Sequence, residues 1–150
     1  MPDMSYQEKS ILGSLTAMLV VYGYYFAGIL RGDHGAEFGC GTLGRLIWAV
    51  IVLVVIEIVY HIVLALETGA EPKDERDILI ESKAYRNAYF FLASGVFLSI
   101  AAVILGNLSR ESPTLTITPF ATVNLVLFFM VIAEIVKYLT QLFYYRRGLR

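Results

Sequence analysis

Four ionisable side chains sit inside otherwise apolar stretches. Glu57 and His61 lie within residues 46–66, and Glu134 and Lys137 within residues 120–145. His61 is four residues after Glu57, and Lys137 three after Glu134, so on helices each pair shares one face. Two carboxylates, an imidazole and an amine are groups that bind a proton, an ion, a small ligand or a cofactor. In lipid such groups are expensive, so they turn toward the interior and find partners. The same set also has a structural reading, in which Lys137 pairs with one or both glutamates and the polar layer fixes helix register.

The elements that carry these residues are membrane spans. Residues 46–66, LIWAVIVLVVIEIVYHIVLAL, number 21 and hold only two ionisable side chains. Each Val, Ile or Leu favours insertion by roughly 0.3 to 0.6 kcal/mol, whereas one central acid costs about 2.5 to 3.5. The apolar majority wins, and a run of this length crosses a bilayer. Residues 11–30 and 88–106 carry no charge and read the same way, as do 120–145. Gly13 and Ala17, Gly23 and Ala27, Gly95 and Ser99, and Ala102 and Gly106 have the small-xxx-small spacing that lets helix backbones approach closely. Packing between the chain's own helices is the preferred use of these pairs, ahead of a dimer face. Tyr22, Tyr24, Tyr25 and Phe26 read as an interfacial aromatic belt.

Between the spans, residues 31–45 hold five glycines and read as a loop. Asp33, His34 and Glu37 are too few ligands for a metal site, and the glycines lack the GK[ST] element of a phosphate loop. Gly69 and Pro72 end the second span. Asp74 is placed to cap a helix whose first turn holds Glu75 and Asp77, where the helix dipole favours acids. Lys73 and Asp77 are four apart, as are Lys83 and Asn87. The spacing predicts one helix from near Asp74 through Gly106, about 50 Å long. That exceeds the ~30 Å hydrocarbon thickness, so residues 74–87 should protrude as an arm. Residues 107–118 are a turn with Pro113, and Pro119 opens the fourth span. Four spans place both ends on one side. That side, with the 67–87 connection, carries eight basic residues against three opposite, Arg31, Arg45 and Arg110. The positive-inside rule makes it the cytoplasm.

VIEIVYH at 55–61 aligns with IAEIVKY at 132–138, an offset of 77 that also sets Lys9 over Arg86. Two hairpins in the same orientation, related by a pseudo-two-fold along the membrane normal, would give this pattern. Glu57 and Glu134 are then equivalent, and with His61 and Lys137 form one layer just cytoplasmic of the midplane.

Composition agrees with this reading. At 57% hydrophobic, 17% charged and mean hydropathy +0.66, the chain reads as an integral membrane protein. A net charge of −1 offers no polybasic footprint, so nucleic acid is not an expected partner. Cys40 is the single cysteine and reads as a small loop residue, with no internal disulfide open to it. The 20-residue apolar run at 11–30 suits a retained span better than a signal h-region. No lipidation motif, Ser-His-Asp set, HExxH or nucleophile beside a base is found, so neither an enzyme nor a cofactor is expected.

The stretch EPKDERDILIESKA, with its Asp-Glu-Arg-Asp run at 74–77, resembles uncharacterised small bacterial four-span membrane-protein families that carry such a run before the third span. The resemblance implies the architecture and transfers no site.

The expected fold is therefore all-α, a single-domain four-helix transmembrane bundle of two repeated hairpins in a bacterial inner membrane. Three functional readings remain. The first is binding or translocation of a proton, ion or small ligand at the Glu57, His61, Glu134 and Lys137 layer. The second is a regulatory or adaptor role for the 74–87 arm. The third is a haem-binding redox protein with His61 as axial ligand, which needs a second copy to supply the other ligand. Expected partners are membrane lipid, a small ligand or ion, and a homo-oligomer.

Overall fold

The computed structural model describes residues 5–31, 40–69, 72–108 and 118–147. They form four helices: α1 (Tyr6–Leu30), α2 (Cys40–Thr68), α3 (Glu75–Leu108) and α4 (Pro119–Arg147). Each is long and apolar enough to cross a bilayer, and α2 reaches a mean hydropathy of 2.8 over its best window. The protein is an all-α four-helix bundle of the integral membrane class.

Local chemistry sets the helix ends. Ser5 and Glu8 form a capping box at α1, with Glu8 N–H donating to Ser5 Oγ at 3.2 Å and Ser5 N–H to Glu8 Oε2 at 3.1 Å. Asp74 and Asp77 do the same at α3. Asp77 N–H donates to Asp74 Oδ1 at 2.7 Å, and Asp74 N–H to Asp77 Oδ2 at 3.1 Å. Gly69 closes α2 in the left-handed region, at φ +73°, where a side chain would be strained. Pro119 takes the first position of α4 behind Thr118, whose hydroxyl accepts from Ala121 N–H.

The expected 31–45 loop is shorter than its glycine content implies. The α2 helix begins at Cys40, so Gly41, Gly44 and Arg45 are helical. Each helical glycine costs about 1 kcal/mol relative to alanine. Pairing the backbone before it enters lipid outweighs that cost. Asp33, His34, Glu37, Pro113 and the loop residues around them lie outside the described residues. The α3 helix is unbroken over 34 residues, so the arm and the third span are one rod about 51 Å long.

Helix packing runs in the order α2, α1, α4, α3. The inner helix α1 buries Ile11, Ser14, Leu15, Met18, Val21, Tyr22 and Tyr25, a three-and-four spacing along one face. The α3 helix meets α4 through small residues, Ala84, Ala88, Gly95 and Ser99. Gly13 lies against the Tyr60 ring of α2, and Gly95 against the Phe129 ring of α4, so both serve internal packing. Gly23 faces open space instead. The two hairpins meet through α1 and α4, while α2 and α3 make no comparable contact. Packing is thus less symmetric than the 77-residue offset implies. The outer face of α2, with Ile51, Val55, Ile58 and Ile62, is left exposed, as lipid contact requires.

Candidate functional site: a polar cleft open at one end

At the end where the chain termini lie, α1 and α4 form the floor of a cleft, and α2 and α3 its sides. Its volume is about 230 Å³. Each helix contributes polar side chains: Ser14 from α1, Glu57 and His61 from α2, Asp77 and Glu81 from α3, Lys137 from α4.

The α2 side is a three-membered network. Ser14 Oγ donates to Glu57 Oε2 at 2.8 Å, and His61 Nε2 lies 3.2 Å from that oxygen and 3.3 Å from Ser14 Oγ. The Glu57 side chain is 25% exposed and that of His61 40%. On the α4 side Lys137 is ion-paired with Glu134 and is only 12% exposed. Its ammonium also sits over the rings of Tyr138 at 4.5 Å and Tyr85 at 5.3 Å, a cation–π arrangement that offsets its lost hydration. Tyr138 lines the same cleft as Ser14, between the two halves.

Toward the cleft mouth, Lys73 pairs with Glu81 at 2.8 Å, and Tyr145 donates its hydroxyl to Asp77 Oδ1 at 2.6 Å. The four-residue spacing of Lys73 and Asp77 is therefore not used as a pair. Asp77 is taken by its cap and by Tyr145, which leaves Lys73 to reach two turns along to Glu81. Lys83 lies over the Tyr144 ring at 5.0 Å.

Of the four residues singled out in the sequence, Glu57, His61 and Lys137 line one cleft. Glu134 does not line it and is joined only through Lys137. Lys137 is not shared between the two glutamates: it pairs with Glu134 on its own helix, while Glu57 is held by Ser14 and the His61 imidazole. Sequence reasoning missed Ser14, Tyr138, Gln141 and Tyr145. Ser14 and Gln141 are buried polar residues whose positions on the inner faces of α1 and α4 could have drawn attention.

Deeper in the bundle the cleft meets an apolar plug. Met18, Tyr22 and Val131 pack there with Leu53, Leu127 and Ile135. Beyond the plug, Tyr25 donates to Asn124 Oδ1 at 2.8 Å, and Asn124 Nδ2 donates to the Phe120 carbonyl at 2.9 Å. Among the described residues no group of three or more His, Cys, Asp or Glu is placed to hold a metal. Axial haem ligation through His61 Nε2 would break its contacts to Glu57 and Ser14.

The geometry is that of a four-span helical membrane protein with a one-ended polar site. Comparison with protein-family models, curated proteins and solved structures finds no match to this chain.

Proposed function

We propose that this protein binds a proton or a small cationic ligand in the cleft, reached from the side where both termini lie. The observation that carries the reading is the charge pattern. Lys137 and Lys73 are each matched by a carboxylate, Glu134 and Glu81. Glu57 and Asp77 remain, held by hydroxyls and an imidazole rather than by a full-time cation. A carboxylate half-buried in a membrane protein gains most from a positive partner. The apolar plug favours binding over passage, since translocation would require Met18, Tyr22 and Val131 to part.

The eight-to-three distribution of basic residues supports a cytoplasmic opening in a bacterial inner membrane. Labelling of single-cysteine variants from either side checks this. Modification of a cysteine at residue 150 only from outside would overturn it.

The binding reading is tested by thermal melts of the detergent-purified protein at constant ionic strength. Proton, sodium, potassium and tetramethylammonium concentrations are varied in turn. At least one should raise the melting temperature, and Glu57→Gln should abolish that response while leaving a helical, monodisperse protein. A wild-type melting temperature indifferent to all four would sink the reading. A regulatory role for the arm has one supporting observation, the exposure of Ile78 and Leu79 on its outer side. Their replacement by serine would then alter partner capture and leave cation response intact.

A further inference from the structure

Two side-chain amides are buried on α4, and they differ in one respect. Asn124 accepts from the Tyr25 hydroxyl and donates to the Phe120 carbonyl. Gln141 is just as buried, at 8% exposed, yet its side-chain amide has no hydrogen-bond partner among the described residues. An amide taken out of water without a partner costs free energy, whichever way its oxygen and nitrogen point. Gln141 lines the polar cleft. A molecule bound in the cleft is therefore placed to supply the missing donor or acceptor.

Helix register fixes the height of this amide. Tyr25 meets Asn124, so on the antiparallel pair α1–α4 Ser14, eleven residues before Tyr25, comes level with residue 135. Gln141 lies six residues nearer the mouth, about 9 Å of helix. Ser14 holds the Glu57 carboxylate. Glu57 and Gln141 thus stand at two heights of one cleft, and their side chains close part of the gap. Tyr145 meets Asp77, which in the same way brings Gln141 level with Glu81.

Resting on the reading of the cleft as a cation site, we propose that its ligand is a small organic amine that also carries a neutral hydroxyl or carbonyl group. The ammonium is held at Glu57 and the neutral group at Gln141. The cleft volume of about 230 Å³ suits such a molecule, since one water takes about 30 Å³ of liquid. A bare metal ion is the poorer occupant, because it offers no acceptor to the amide N–H groups. A zwitterion is disfavoured too. Its carboxylate at Gln141 would lie level with Glu81, in a cleft lined by three carboxylates against two ammoniums.

Thermal melts of the detergent-purified protein at pH 7 test this. The probes are ethanolamine, 3-aminopropanol and 5-aminopentanol, each set against the alkylamine of the same chain length. One hydrogen bond corresponds to about a two- to twelvefold change in binding. At least one amino alcohol should therefore match the effect of its alkylamine at about a two- to twelvefold lower concentration. Gln141→Leu should bring the pair within about twofold of each other. Partition into detergent is the same for both proteins, so it cannot produce that difference. Without ligand, Gln141→Leu should melt at the same temperature as the wild type or higher, because no hydrogen bond is lost. A lower melting temperature would give the amide a structural partner and overturn the proposal. The wild-type comparison stands even if that variant fails to fold. Amines that act equally with and without the hydroxyl overturn this inference and leave the cation site standing. A melting temperature indifferent to amines and inorganic cations alike overturns both.

Discussion

Ser14 of α1 holds Glu57 of α2 through a 2.8 Å hydrogen bond, and Ser14 itself is only 4% exposed. A carboxylate at this depth has lost much of its water, and the serine hydroxyl replaces part of it. Hydrogen bonds to charged groups contribute about 1.5–3 kcal/mol. Ser14→Ala should therefore lower stability in detergent melts by about 1–3 kcal/mol. In a Glu57→Gln background the same change should cost less than about 1 kcal/mol, because the charge that needed the donor is gone. Additive losses in the double variant would show that the bond contributes little.

Lys137 gives a sharper test of how the polar residues are divided. Removing one member of a buried ion pair costs about 3–5 kcal/mol. Glu134 is 36% exposed, so water can take over part of its solvation. Lys137→Met is expected to cost about 1–3 kcal/mol, with loss of its contacts to Tyr85 and Tyr138 included. Glu134→Gln should partly rescue it. Glu57→Gln should not, because Glu57 is held by Ser14 and His61. Rescue by Glu57→Gln of the same size would mean that Lys137 serves both carboxylates.

The helices and their order of polarity were legible in the sequence because a bilayer imposes a strong one-dimensional rule. Runs such as 46–66 have to be helical, and Asp74 and Pro119 mark helix starts by local chemistry. The i to i+4 link of Glu57 and His61 was legible for the same reason, since it lies within one helix. Contacts between helices were not. Ser14 looks like any small residue of a span, and its role depends on α1 lying between α2 and α4. The Tyr145–Asp77 bond joins residues 68 apart in sequence, and no periodicity announces it. The repeat suggested equal roles for Glu57 and Glu134, yet the helices pack with α1 on α4 and without a matching α2–α3 contact, so the two glutamates face different surroundings.

The glycines separate packing from open surface. A Cβ at Gly13 would collide with the Tyr60 ring, and one at Gly95 with the Phe129 ring. Either substitution by alanine should cost about 1–3 kcal/mol through forced repacking. Gly23→Ala meets nothing and should be neutral or slightly stabilising, since alanine is the better helix former. Thermal melts of the three variants suffice. A Gly23→Ala loss as large as that of Gly13→Ala would require a partner on that face.

Asp77 has two tasks at the start of α3, and they can be separated. Its Oδ2 accepts the Asp74 N–H, closing the cap, while its Oδ1 accepts the Tyr145 hydroxyl and ties the arm to the end of α4. Tyr145→Phe removes only the tie. A hydrogen bond contributes about 0.5–1.5 kcal/mol, so amide exchange over residues 75–81 should speed up by about two- to twelvefold, with the lipid-embedded part of α3 unchanged. Asp77→Ala removes the tie and half of the cap, and a lost cap adds about 0.5–2 kcal/mol. Its effect should exceed that of Tyr145→Phe and reach the first turn of the helix. Both residues line the cleft, so a loosened arm also widens the mouth. Tyr145→Phe should then speed ligand association and dissociation together with little change in affinity. Unchanged exchange in that variant would mean that the arm is held by Lys73–Glu81 and its own cap, and that the mouth does not depend on Tyr145.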